Sequence, residues 1–278
     1  MLRSQTHGPV TRFDLAHSLL GRGRYWTTCY YLDGWLIDTG CAHTAHELLG
    51  ALRGKALRGK ALRGVLNTHT HEDHIGANGP LQRENPGLEI YAHPLALPVL
   101  ADPRRQQPLH PYRRLFWGWP TPSQGRPLAD GQVIETEHYR LQTIYTPGHK
   151  ADHVCFYEEQ QGWLFSGDLF VGGRDRALGQ GYDIWGILDS LRRVYALPIQ
   201  TLYPASARLR TDPCPHLAAR IAYLQELGEQ VLELHQQGRS VEQIARTLLG
   251  GPMWVELVTL GHFSRRNLVL SYLSRVTE

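Results

Sequence analysis

The stretch His69-Thr70-His71-Glu72-Asp73-His74 sets His69, His71, Asp73 and His74, four groups able to bind a divalent metal, within six residues. The run before it, Val65-Leu66-Asn67-Thr68, passes from apolar to polar and reads as a short buried strand emerging into solvent. An extended chain repeats its side-chain direction every second residue, so His69 and His71 share a face and aim two imidazoles at one point. Ile75-Gly76-Ala77-Asn78 reads as the start of a helix, which sets Asp73 and His74 in a tight turn beside its electropositive end. Any one of these histidines alone is more economically an ordinary loop residue. Three imidazoles crowded together repel once protonated, and a metal is the simplest agent that makes such crowding favourable.

A chain of 278 residues, 42% hydrophobic and 20% charged, is long enough to bury a sizeable core and has the composition of a globular protein. It allows one large domain or a domain with a small appendage. No apolar run reaches membrane-spanning length, and Met1 to Gly8 lack the apolar core of a secretory signal, so a cytoplasmic protein is expected. Cys29, Cys41, Cys155 and Cys214 form no Cys-x-x-Cys pair, which points to reduced thiols and away from a cysteine zinc site. The net charge of +3 makes no strong case for nucleic acid. Lysine occurs only at Lys55, Lys60 and Lys150, and arginine carries the remaining positive charge.

The stretch at 69–74 resembles the His-x-His-x-Asp-His signature of the metallo-β-lactamase superfamily. Other segments follow in the order that family uses. Two β-rich runs flank Asp33-Gly34, a hairpin signal, and the second ends in Asp38-Thr39-Gly40. The resemblance makes Asp38 a supporting residue rather than a ligand, and a plain turn or helix-cap aspartate reads equally well. Tyr139 to Tyr145 alternates like a strand and opens into Thr146-Pro147-Gly148-His149, similar to the family segment that supplies the next ligand. His153 resembles a second histidine seen there and takes a structural role. Gly162 to Asp168 reads as an apolar strand ending in a carboxylate, which in the family bridges two metals. The family's last ligand is a histidine, and Ser206 stands in its place. The resemblance thus implies a first metal on His69, His71 and His149 with an open position for water. A second would use Asp73, His74 and Asp168, one ligand short, which leaves four outcomes open: weaker binding, extra water, recruitment of a distant group such as His216, or an empty site.

Elsewhere, Ala-Leu-Arg-Gly-Lys repeats with a period of five over residues 51–65. A five-residue step spirals the arginines round a helix, so the segment reads as an expanded surface connection. His93-Pro94 reads as a cap or surface turn. Residues 103–127, with Tyr112, Phe116, Trp117 and Trp119, read as a long loop serving as a lid or pocket wall. Leu128 to Ile134 carries a second Asp-Gly hairpin signal. Leu217, Ile221, Leu224, Leu227, Val231 and Leu234 mark an amphipathic helix; Ser240 caps a second and Arg265 to Arg275 forms a third. These helices loosely resemble the winged-helix-like tail of some superfamily members.

The expected architecture is an αββα metallo-β-lactamase sandwich over residues 1–212 with a helical extension over 213–278. The expected activity is hydrolysis of an ester, thioester, lactone or phosphodiester by a metal-activated water. Zinc is the favoured ion, one or two per chain, with iron as the alternative, and Asp73 is the catalytic acid–base group. A small molecule is the first choice of substrate, RNA the second, and a homodimer is compatible with the tail. The rivals are an iron oxygenase resembling persulfide dioxygenases, using His69, His149 and Asp168, and a degenerate non-catalytic member suggested by Ser206.

Overall fold

The computed structural model describes residues 1–19, 22–23, 25–53 and 62–276. Two sheets face each other. The first runs in the order Leu2–His7, Val10–Leu15, Thr27–Leu32, Trp35–Ile37, Gly64–Leu66, Glu89–Ala92, Arg126–Pro127. The second runs Val133–Glu135, Arg140–Tyr145, Val154–Glu158, Trp163–Gly167, Thr201–Pro204, Arg210–Thr211. Both mix antiparallel hairpins with parallel neighbours, as at Trp35–Ile37 beside Gly64–Leu66 and Trp163–Gly167 beside Thr201–Pro204.

The two-residue period of the strands decides what each sheet buries. Tyr30, Leu32, Ile37 and Leu66 of the first sheet meet Leu141, Val154, Phe156 and Phe165 of the second between the layers. The alternate residues Cys29, Tyr31, Leu36 and Val65 point outward, beneath the helix Ala45–Arg53 with its Leu48 and Leu52. On the far side, Ile144, Cys155, Leu164 and Leu202 pack against Leu188 and Leu191 of the helix Ile184–Tyr195. The order helix, sheet, sheet, helix is the expected αββα sandwich.

The helices after residue 213 join that last layer. Leu217 and Leu224 of Cys214–Gln236, Ile244 of Val241–Leu249 and Leu268 of Arg265–Leu273 share one apolar cluster with Ile187 and Leu188. Ser240 starts its helix with a full capping box to Gln243, and Gly250 ends it at a φ of 80°. A short ladder between Leu178–Gly179 and Phe263–Ser264 ties the C-terminal region to the segment ahead of Ile184–Tyr195. The first Asp-Gly signal is a true hairpin, with Asp33 and Gly34 at φ 51° and 91°.

Three expectations change. Asp130-Gly131 closes no hairpin: it leads into Val133–Glu135, and the turn to Arg140–Tyr145 falls at residues 136–139. Asp130 instead accepts the Tyr145 amide and pairs with Arg193, which consumes its turn-forming carboxylate. The helix after the motif begins at Asn78 rather than Ile75, because tight turns occupy residues 72–77. Residues 103–127 are not one loop, since Pro103–Gln106 and Pro111–Trp117 are helices with proline in the first turn and Asp102 capping the first. Most of the five-residue repeat, at 54–61, lies outside the described residues. All four cysteines are free thiols, and no helix among the described residues is long and apolar enough to cross a membrane.

Candidate metal centre

The ligand candidates and the supporting Asp38 sit at the carboxyl ends of four strands. Asp38 follows Trp35–Ile37 and the motif follows Gly64–Leu66; His149 follows Arg140–Tyr145 and Asp168 follows Trp163–Gly167. Backbone bonds bring the two sheets together there: the Val154 amide donates to the Thr68 carbonyl at 2.8 Å, and the Thr28 amide to that of Ala205 at 2.8 Å. Two glycines make the approach feasible. Gly148, at φ 132°, lies so close to the backbone of Ile187 that a side chain would collide with it. Gly167, at φ 49°, would place a Cβ 2.8 Å from His153 Nε2 and from Thr68 Oγ1.

His69 Nε2 and His149 Nε2 each lie 3.0 Å from His71 Nδ1. Three ring nitrogens about 3.3 Å apart are what a tetrahedral ion with roughly 2.0 Å bonds to nitrogen requires. Beside them, His74 Nε2 lies 3.4 Å from Asp168 Oδ2 and 3.9 Å from Asp73 Oδ2, and His149 Nε2 is 3.5 Å from Asp168 Oδ2. Two ligand groups result, His69 with His71 and His149, and His69 with His74 and Asp168. Five of the six expected ligands therefore converge within these groups, and Asp73 borders the second.

The surrounding hydrogen bonds fix which nitrogen each ring offers. Asp38 accepts from the Thr68 amide at 2.7 Å, from Thr68 Oγ1 at 2.7 Å and from His74 Nδ1 at 2.8 Å. Thr68 Oγ1, having given its proton to Asp38, accepts from His69 Nδ1 at 3.0 Å. Both rings thus commit Nδ1–H to an outward hydrogen bond and turn Nε2 inward, an arrangement that supporting carboxylates impose on metal-binding histidines. Asp38 holds this position at a φ of 59°, uncommon outside glycine. His153 accepts from the Asp168 amide at 3.2 Å and donates from Nδ1 to Thr146 Oγ1 at 2.8 Å, so both its nitrogens are engaged in positioning the carboxylate.

Whether the site suits a cation is tested by what it leaves unpartnered. His74 Nε2 is buried with no hydrogen-bond partner among the described residues. Burial opposes a charge on His74, yet Asp38, Asp168 and Asp73 together raise it well above its ordinary value. Burial pushes His149 down to about 3 and holds His69 and His71 well below the usual imidazole range. Neutral rings at His69, His71 and His149 are the donors a divalent metal needs, and the carboxylates that favour a positive charge at His74 would equally favour a cation in place of its second proton. The residues fit.

Ser206 follows Thr201–Pro204, and its hydroxyl donates to Asp168 Oδ1 at 2.7 Å. His216 is exposed on the first turn of Cys214–Gln236 and belongs to neither ligand group. His93 caps the turn Pro94–Ala96 by accepting the Leu95 amide, and stacks on Tyr145.

Three features had no signal in the sequence. Tyr182 lays its ring against His71 and His149, at 5.7 and 4.6 Å between centroids. Lys150 binds Thr70 Oγ1 and Gln107 Oε1, and Thr70 in turn donates to Asp152. Glu72, fully buried inside the motif, pairs with Arg113 of the helix Pro111–Trp117. A buried acid in a metal-binding turn calls for a cation, but nothing in the sequence says which one. Glu72→Ala is expected to cost about 3–5 kcal/mol by stranding the Arg113 charge. A urea denaturation midpoint equal to that of the parent would show that the pair stabilises nothing.

A sandwich of this order, with imidazoles from one sheet and an imidazole and a carboxylate from the other meeting at the strand ends, defines a class of metal-binding αββα proteins. The chain belongs to the metallo-beta-lactamase superfamily, whose family profile matches residues 27–206. It is 29% identical over 219 residues to an atrochrysone carboxyl ACP thioesterase of Aspergillus fumigatus, covering 77% of this chain and 41% of that protein. It is 31% identical over 144 residues to the thioesterase pkgB of Emericella nidulans, covering 50% of this chain and 33% of that one. The chain thus spans between a third and about half of the length of such curated relatives. A metallo-beta-lactamase family protein from Thermus thermophilus shares the fold, with a TM-score of 0.66 at 22% identity over 96% of this chain and 93% of that one. TTHA1623, solved in a di-iron-bound form, aligns with a TM-score of 0.53 at 29% identity over 69% and 93%.

Proposed function

We propose that this chain is a metal-dependent hydrolase of small-molecule thioesters or esters. The observation that carries the reading is the meeting of His69 Nε2, His71 Nδ1 and His149 Nε2 beside Asp73, His74 and Asp168. A metal ion held by these groups would lower the pKa of a bound water to about 7 and polarise the substrate carbonyl. Asp73 orients the attacking water and accepts its proton, then returns a proton to the departing thiol or alcohol as the carbon–sulfur or carbon–oxygen bond breaks. Tyr182 shields one side of the site from bulk water, and Asp38 and Thr68 hold His69 and His74 with Nε2 turned inward.

The thioesterase names of the curated relatives support a thioester as the substrate class. Zinc is the preferred ion because the first ligand group is all nitrogen. The di-iron form of TTHA1623 supports iron as the second choice. The test is hydrolysis of acetyl-N-acetylcysteamine and p-nitrophenyl acetate by the purified chain before chelation, after chelation and after return of zinc or iron. Turnover lost with the metal and restored by one of the two ions is the expected result. Turnover indifferent to chelator, or none after reconstitution, would overturn the reading.

Ser206 supplies a further prediction. A hydroxyl is a poorer zinc ligand than imidazole, so the second ion lacks the imidazole that would complete its ligand set. Ser206→His is expected to raise the retained metal toward two ions per chain after dialysis. Parent protein already retaining two would contradict this.

A further inference from the structure

We infer that the C-terminal segment Trp254–Phe263 forms one wall of an acyl-binding pocket selective for aromatic acyl groups, an inference that rests on the thioester and ester reading above. The segment lies beyond the family match at residues 27–206, so the pocket is built between the matched region, through Phe116 and Trp117, and the C-terminal helices. A cavity of about 270 Å³ opens between it and the helix Pro111–Trp117. Tyr25, Phe116 and Trp117 line one side, and Trp254, Val258 and Phe263 line the other. The lining is almost wholly apolar, and rings dominate it.

Three observations join this cavity to the metal centre. Phe263 meets Tyr182 edge-on at 5.7 Å between centroids, and the same Tyr182 ring lies against His71 and His149. The two walls are pinned together at the inner end, where Tyr112 Oη and His262 Nδ1 are 2.6 Å apart and His262 stacks on His110 at 4.0 Å. Arg113, on the same short helix as Phe116 and Trp117, pairs with Glu72 inside the ligand motif. The pocket and the site therefore share one aromatic partition, and a substrate carbonyl at the ligands would extend its acyl group along it. At the other end Tyr25 and Trp254 are 49% and 74% exposed, leaving an apolar rim at the surface.

The choice of an aromatic occupant follows from the lining. Tyr25 lies edge-on to Phe116 at 4.4 Å and to Trp117 at 6.0 Å, a cluster whose edges and faces favour another ring over an alkyl chain of equal size. The volume admits an acyl group and excludes a folded partner.

The experiment compares phenylacetyl-, hexanoyl- and acetyl-N-acetylcysteamine as substrates of the metal-loaded full chain. It also measures binding of the non-hydrolysable thioether analogues of the first two by calorimetry. The expected kcat/KM for phenylacetyl exceeds that for acetyl by at least about tenfold and that for hexanoyl by at least about threefold. Val258→Trp, which fills the cavity, should lower the phenylacetyl value at least about tenfold more than the acetyl value and abolish binding of the phenylacetyl analogue. Phe116→Ala, which enlarges the cavity, should weaken the phenylacetyl analogue relative to the hexanoyl one. Equal kcat/KM for the three thioesters, or equal affinities that neither substitution moves, would overturn the pocket while leaving the hydrolase reading intact. If no thioester is turned over, the hydrolase reading fails and calorimetry alone decides the pocket: preference for the phenylacetyl analogue upholds it, and no preference overturns it.

Discussion

Asp73→Asn is expected to lower kcat on a thioester or ester by about 10²- to 10⁴-fold, the range for loss of a positioned acid–base group. Asparagine keeps the size and the hydrogen-bonding oxygen of the side chain but cannot take a proton at neutral pH. Asp73 sits in the turn of residues 72–74, held from outside by the Glu72–Arg113 pair and within by the His74-to-His71 backbone bond, so the substitution leaves the loop in place. Burial raises Asp73 above the ordinary carboxylate range although His74 pulls it down, which suits a group that both accepts and returns a proton. The metal on His69, His71 and His149 should be retained, because Asp73 is outside that group. Steady-state assay of the zinc-loaded variant with metal analysis of the same sample checks both halves. Unchanged turnover would remove Asp73 from the chemistry.

His149→Ala should do the opposite to the metal: retention and turnover are lost together. His149 is the imidazole that the second sheet brings to a centre otherwise held by the first, and alanine leaves His69 and His71 as an isolated pair. The loss of affinity should exceed the roughly 10- to 100-fold that follows removal of a supporting partner such as Asp38. The loop itself should survive, since Gly148 remains packed on Ile187 and the Asp183 amide still donates to the Gly148 carbonyl at 2.8 Å. Equilibrium dialysis against zinc, with circular dichroism to verify the fold, separates lost ligation from lost structure. Undiminished zinc affinity would mean that His149 shares no ion with His69 and His71.

Much of the centre was legible because metal sites constrain residue type at fixed spacing. The alternation that puts His69 and His71 on one face, and the Pro-Gly turn that projects His149, are local rules that the surrounding fold had no reason to override. The long-range partners were opaque for the complementary reason. Tyr182, Arg113 and Thr68 act through surfaces brought together only when the sheets stack, and neither an aromatic, an arginine nor a threonine announces its neighbour. The misplaced hairpin at Asp130-Gly131 makes the same point. Its turn chemistry was real, but Arg193 and the Tyr145 amide, distant in sequence, decided what it joined. The segment 103–127 reads as a loop because proline and large rings break periodicity, and proline in the first turn of two short helices produces that appearance.

The most direct test is X-ray absorption spectroscopy of the zinc-loaded chain and of His149→Ala. The account predicts at least three nitrogen scatterers at roughly 2.0–2.1 Å with the outer-shell pattern of imidazole, and fewer imidazoles in the variant. A spectrum without imidazole, or one unchanged on removal of His149, would contradict it.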